Sequence, residues 1–326
     1  MSKQSGKSHK GLFQSYWVRV LKLALGVVLC LVTTSVWSQS LAKEEDAEPV
    51  ARVGVKEIRG PRVEAYLRAT VPGWPLQPEL QPPLRRAAVE HLVRRELVYL
   101  WLAKNGFSAT EAEIEWRVDE RRSELDRVEK KLADYLAEQQ LTLAEFQDGF
   151  GWELAWTKYL DAMLTEEKIA ERFRACPRDF DGTELHVAQI LFAVTAERNR
   201  EQAFLLAEKI RQQLQRGELT WEAAVGEHSI AASREVGGDL GWIRRREPMP
   251  EDFTLPAFKL REGELAPPFA TRYGVHLVKC LEVRPGKQQL GDVRELVRRD
   301  LMESEYSRLA EVMRDEVEVW IRPEKK

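Results

Sequence analysis

The sequence predicts an α+β protein, and three observations carry that reading. Helix-period apolar patterning dominates residues 84–176, a β-rich run stands at 186–194, and a glycine-punctuated stretch of short strands and turns fills 237–276. With 326 residues the chain exceeds one average domain. The balance of 44% hydrophobic and 32% charged residues supports folded, helix-rich structure rather than disorder.

Residues 1–42 carry Lys3, Lys7, Lys10, Arg19 and Lys22 and no acid, so the formal charge of −3 hides a more acidic body. That body has interspersed charges and no basic footprint, which argues against a nucleic-acid partner. The basic segment leads into the apolar run Leu23 to Trp37, followed by small residues at Ser38, Ser40 and Ala42. This is the layout of a secretory signal peptide cleaved after Ser40 or Ala42. The alternative is an uncleaved anchor over residues 18–37, associating with the inner membrane, although Arg19 and Lys22 make a poor spanning helix. Past the signal only Cys176 and Cys280 remain. They could form one disulfide in an oxidising compartment, or Cys280 could be a core residue sharing strand parity with His276 and Val278. No metal-ligand spacing is present, and the sequence calls for no cofactor.

In chain order, Val50 to Ile58 reads as one short strand and Val63 to Ala69 as helix. Pro72, Pro75, Pro78, Pro82 and Pro83 mark a loop from 71 to 83. Leu84 to Lys104 is helical, with Val89, Leu92, Val93, Leu97, Leu100 and Trp101 on one face, and Asn105-Gly106 ends it. Ser108 and Glu111 form a capping-box pattern opening a long charged helix to about Gln139. Its narrow seam of Ile114, Val118, Leu125, Val128, Leu132 and Tyr135 suits packing on one neighbour. Thr142 and Glu145 repeat the pattern before an aromatic-rich helix containing Trp152 and Trp156, which read as core residues or as a client surface. Thr165 caps a further helix ending near Cys176-Pro177.

After the strand at 186–194 comes an amphipathic helix from Asn199 to Arg216, closed by Gly217, and a short helix capped by Thr220. Gly237, Gly238, Gly241, Gly263 and Gly274 then stand where a backbone turns with positive φ or approaches another chain closely. Between them lie Leu240, Met249, Phe253, Phe258 and Phe269, residues that suit a small apolar pocket, with His276 on the last strand. Residues 290 to about 320 return to helix, with Val293, Val297, Leu301, Tyr306, Leu309 and Val312 among the apolar positions.

The stretch 237–276 resembles the parvulin family of peptidyl-prolyl isomerases. The matching features are Gly238-Asp239-Leu240-Gly241-Trp242, Met249 followed by Phe253, Gly263-Glu264, and Thr271 followed by Gly274-Val275-His276. Taken with the N-terminal signal, the helical region and the returning C-terminal helix, the arrangement resembles SurA- and PrsA-type envelope foldases. The resemblance implies a small antiparallel sheet wrapped by helices at 183–286 and a mostly helical chaperone domain at 43–182. It also implies that residues 287–326 pack on that N-terminal domain. It implies an apolar proline pocket on Leu240, Met249 and Phe253, and a polar cluster behind it in which Thr271 and His276 stand at family positions.

Two cluster positions depart from the family. Gln189 replaces the first histidine, and Ala231 stands where a cysteine or aspartate is expected. Gln189 can still donate and accept hydrogen bonds, whereas Ala231 can do neither. His186 has the opposite strand parity and is no substitute. Arg244, Arg245 and Arg246 read as client contacts or as a solvated loop. The expected function is an exported foldase of the periplasm or cell envelope that acts on X-Pro bonds of unfolded or proline-containing clients. The catalytic group is His276, Thr271 and Gln189. The alternative is a periplasmic holdase with a weak or inactive parvulin module, and a third reading is an anchored scaffold.

Overall fold

The computed structural model describes residues 48–323, so the signal segment and residues 18–37 lie outside it. Among the described residues no helix is long and apolar enough to cross a membrane. The described residues divide into two compact units, 48–163 with 302–323, and Leu164–Leu301.

In the first unit, strands β1 (Pro49–Val53) and β2 (Lys56–Arg59) form a hairpin rather than the single strand predicted. Gly54, at φ +56°, makes the turn that the alternation alone did not reveal. Helix α1 spans Gly60–Thr70 and α2 spans Gln81–Lys104. The predicted proline loop therefore ends early. Pro82 and Pro83 sit in the first turn of α2, where the missing N–H groups would have no intrahelical partner anyway.

The long charged helix is two helices, α3 (Glu111–Asp126) and α4 (Leu132–Gln139). The capping box that opens α3 is Thr110 with Glu113, two residues beyond the predicted pair. Glu129, at φ +56°, closes α3, with the Lys130 N–H donating to Leu125 O and the Glu129 N–H to Asp126 O. At the break Val128 is 69% exposed, while beyond it Tyr135 meets Phe146 edge-on at 6.0 Å. The Thr142–Glu145 capping box forms and opens α5 (Leu143–Met163).

Leu92, Val93, Leu97, Val98 and Leu102 of α2 and Ala155 and Leu160 of α5 are buried. Leu100, by contrast, is exposed, so the apolar face of α2 is rotated from the one predicted. Trp152 and Trp156 stack 5.8 Å apart, and Tyr306 meets both edge-on at 6.1 and 5.8 Å. Tyr306 belongs to α10 (Leu290–Arg314), whose Leu309, Ala310 and Met313 are also buried. The predicted helix to Trp320 stops at Arg314. Val319–Ile321 instead form β7, pairing antiparallel with β1 through Ala51 and Ile321, and Val53 and Val319. The alternation of β-branched Val317, Val319 and Ile321 fits a strand better than a helix face.

The second unit opens with α6 (Glu166–Ala175), capped by Thr165. Its four-stranded antiparallel sheet has the order β4-β3-β6-β5, from β3 (Glu184–Phe192), β4 (Asp239–Arg244), β5 (Phe269–Thr271) and β6 (Gly274–Arg284). Helices α7 (Arg200–Arg216) and α8 (Trp221–His228) cover one face, burying Ala203, Ala207, Ile210 and Val225 against Ile190, Phe192, Val275 and Leu277. The other face packs α9 (Glu251–Ala257) through Phe253 and Ala257 against Leu185, Val187, Val278 and Cys280. Alternation along β6 thus sends Val275 and Leu277 one way and Val278 and Cys280 the other. Val293 and Val297 of α10 pack with Ile169 and Phe180.

Leu309 is 0% exposed, so Leu309→Ala is expected to destabilise the protein by about 2–4 kcal/mol. Leu205→Ala, at a 66% exposed position, should change stability by less than about 0.5 kcal/mol. Urea denaturation of the two variants checks both.

Candidate functional site

Three strands bring Gln189, Thr271 and His276 together on the α9 face of the sheet. In the β3–β6 register Gln189 lies opposite Val278, which makes it the diagonal same-face neighbour of His276. Thr271 ends β5 opposite Gly274, at the turn that returns as β6. Gly274, at φ +144°, permits that turn, and a Cβ there would lie 2.5 Å from Phe192 O. Gly238 serves β3 in the same way. It accepts the Gln189 N–H at 2.9 Å, and a Cβ on it would meet Gln189 O at 2.4 Å.

The side chains form one line of hydrogen bonds. The Tyr273 N–H donates to Thr271 Oγ1 at 3.1 Å, and the Thr271 hydroxyl lies 2.8 Å from His276 Nε2. His276 Nδ1 is 2.9 Å from Gln189 Oε1. Because Gln189 Oε1 can only accept, Nδ1 carries the proton and Nε2 accepts from Thr271. His276 is 3% exposed, and burial holds its pKa well below the usual histidine range, to about 4, against a weak opposing pull from Asp252. At neutral pH the ring is a neutral hydrogen-bonding element.

Aromatic rings frame it. Phe269, directly opposite His276 across the β5–β6 pair, stacks on the imidazole with centroids 5.5 Å apart, and Phe253 meets it edge-on at 5.4 Å. Leu240 and Met249 are partly buried against the same cluster. All six predicted site residues therefore belong to one sheet face and the apolar cluster upon it. The sequence suggests Phe269 for an apolar pocket but does not place it against His276. Its parity with Thr271, two residues on, would have placed it beside the histidine.

The arginine run divides: Arg244 and Arg246 are exposed and ion-paired, and Arg245 alone is buried. Arg246 pairs with Asp300 at 2.9 Å, and Arg244 pairs with Glu184 at 2.8 Å. His186 turns away from the cluster and meets Asp239 at 2.8 Å. Ala231 starts a 3₁₀ turn, and its N–H donates to Ser229 Oγ at 3.3 Å. Cys176 and Cys280 are both free thiols, Cys280 being a core residue whose pKa burial pushes up.

Against known proteins, the family model for the PPIC-type PPIase (rotamase) domain matches residues 189–282. Residues 189–282 are a parvulin-type rotamase domain. The chain is 36% identical over 101 residues to the foldase PrsA of Bacillus subtilis, covering 31% of this chain and 33% of that one. It is 31% identical over 163 residues to the chaperone SurA of Burkholderia mallei, covering 49% of this chain and 35% of that one. The matches thus span about a third of the length of these relatives. Among solved structures, a PpiC-type isomerase domain is 34% identical with a TM-score of 0.30, covering 33% of this chain and 98% of that one. PrsA of Bacillus anthracis is 18% identical with a TM-score of 0.37, covering 70% and 96%. The chain is thus similar to PrsA and SurA over 101 and 163 residues, and the family match is carried by residues 189–282.

The lowered pKa of His276 has a sign. Between pH 6.5 and about 4 the unfolded chain binds a proton at this residue that the folded chain does not. Its contribution is therefore constant above about 6.5, and stability falls as acid is added through that window, by up to about 3 kcal/mol. Urea denaturation from pH 7.5 to 4.5 should show this slope, and His276→Gln should flatten it.

Proposed function

We propose that the chain is an exported folding factor whose parvulin domain binds X-Pro segments of unfolded envelope or secreted proteins and catalyses their cis-trans isomerisation weakly. The observation that carries the reading is the neutral His276, hydrogen-bonded to both Thr271 and Gln189 beneath an apolar wall. The basic and apolar segment ahead of residue 43 supports export to the periplasm or cell envelope. The SurA and PrsA relatives, named chaperone and foldase, support polypeptide clients. Residues 48–163 with 302–323 are the proposed chaperone unit.

Rotation about an X-Pro bond faces a barrier of about 18–20 kcal/mol, because the amide loses its resonance in the twisted state. No bond is made or broken, and no proton need leave the enzyme. Met249, Leu240 and Phe253 hold the proline ring and exclude water. The twisted imide is then stabilised over the planar one, since its carbonyl and nitrogen are electronically separated and less dependent on solvation. Thr271, His276 and Gln189 act beneath the pocket as a neutral, pre-oriented dipole chain that cannot bring a charge into the apolar site. A charged imidazolium there would cost desolvation energy and upset both hydrogen bonds.

The second reading, a holdase with an inactive module, draws on Gln189 and Ala231 as departures from the family cluster. A protease-coupled assay on a short X-Pro peptide, with aggregation suppression of an unfolded client followed in parallel, separates the two. Acceleration by the full chain that Met249→Ala lowers about tenfold or more is expected. Aggregation suppression without any acceleration would leave the holdase. Gln189→His, restoring the family residue, is expected to raise kcat/KM by about three- to tenfold in the same assay.

A further inference from the structure

The loop from β4 to α9 carries Met249, and charges from helices outside residues 189–282 tie it down. Residues 244–247 form a tight turn in which the Arg244 N–H donates to Glu247 O at 2.6 Å. Of the two arginines at its corners Arg245 is buried, whereas Arg246 keeps a third of its side chain in solvent. Arg245, 4% exposed, donates through Nη1 to Thr254 Oγ1 at 3.1 Å and through Nη2 to Glu251 Oε1 at 2.9 Å, and its Nε faces Asp179 at 3.6 Å. The Thr254 hydroxyl donates back to Arg245 O at 2.6 Å, so the turn is clipped to α9 beside Phe253.

Arg246 reaches the other way. It donates to Asp179 O at 2.6 Å and to Asp300 Oδ1 at 2.9 Å, and its guanidinium lies 5.1 Å from the centroid of Phe180. Arg172 of α6 donates to Asp300 Oδ2 at 2.8 Å and lies 5.4 Å from the same ring. Asp300 of α10 therefore takes one guanidinium on each carboxylate oxygen, and both guanidiniums contact Phe180. Its side chain is only 11% exposed. Removing its charge leaves two partly buried cations competing for Asp179 and breaks the ion pair between Arg246 and α10.

We propose that Asp300 and Arg172 are positioning residues for the X-Pro pocket: through Arg246 and Phe180 they fix the turn from which Met249 enters the apolar wall. The functional unit then extends beyond the parvulin domain to α6 and the first half of α10. The inference rests on the reading of Leu240, Met249 and Phe253 as the proline pocket, and its test contains a readout that does not depend on that reading.

The full chain, labelled with ¹³C at the methionine methyls, is compared as wild type, Asp300→Asn, Asp300→Glu and Ile210→Val. The last is a core change on the opposite face of the sheet that lowers stability without touching the turn. Each is titrated with a tetrapeptide containing a central X-Pro bond. Asp300→Asn is expected to displace the Met249 methyl resonance and to weaken peptide binding about fivefold. Asp300→Glu should return both to within about twofold of wild type, and Ile210→Val should move neither. An unmoved Met249 resonance with unchanged peptide affinity in Asp300→Asn would overturn the proposal and leave the cluster as a stabilising contact alone. If the wild type fails to bind the peptide at all, the proline-pocket reading falls. The Met249 resonance in Asp300→Asn still decides whether the cluster positions the turn.

Discussion

His276 has two hydrogen bonds and no room for a charge, and the architecture of the second unit follows from meeting that condition. A buried imidazole is tolerated only when both nitrogens are paired, one as donor and one as acceptor. Gln189 supplies the acceptor from β3 and Thr271 the donor from β5, so β6 must lie between them in the sheet. Two close backbone approaches, at Gly238 and Gly274, allow the flanking strands to reach those positions. The aromatic rings of Phe253 and Phe269 then exclude water from the imidazole, which is the physical cause of its low pKa.

This arrangement shows how Gln189 meets the hydrogen-bonding need of His276 at a position where the parvulin resemblance implies a histidine. An amide oxygen accepts from Nδ1–H as well as an imidazole nitrogen would, so the tautomer of His276 is still defined. What the amide cannot do is take up a proton near neutral pH. A chain of neutral groups suits a reaction that transfers no proton and needs only a shaped, dry pocket with fixed dipoles. Ala231, by contrast, contributes no polar group at all.

The order of strands and helices in the second unit was legible because each element carries its own punctuation: Asn199 and Gly217 bound α7, Thr220 caps α8, and five glycines mark the turns. That Gln189, Thr271 and His276 share one sheet face was legible from strand parity, and that Leu240, Met249 and Phe253 pack in the apolar cluster on that face was legible from the parvulin resemblance. The errors fall where a local signal has two outcomes. Gly54 turns one apparent strand into a hairpin, and Glu129 adopts the left-handed conformation that splits an apparently continuous helix. Val319 to Ile321 make a strand only because β1, over 260 residues earlier, offers an edge. The ion pairs of the arginines at 244–246 were not legible because their partners, Asp179, Glu184 and Asp300, are distant in sequence, and charge runs say nothing of distant acids.

The central claim is that His276 is a neutral, single-tautomer element at the base of a proline pocket. ¹⁵N chemical shifts of its imidazole, followed by NMR from pH 7.5 to 4.5 with and without an X-Pro peptide, test that claim most directly. The account predicts a protonated Nδ1 and an unprotonated, hydrogen-bonded Nε2 that persist to about pH 5 and shift when peptide binds. A ring that titrates near 6.5 with averaged tautomers, or one that saturating peptide leaves unchanged, would contradict it.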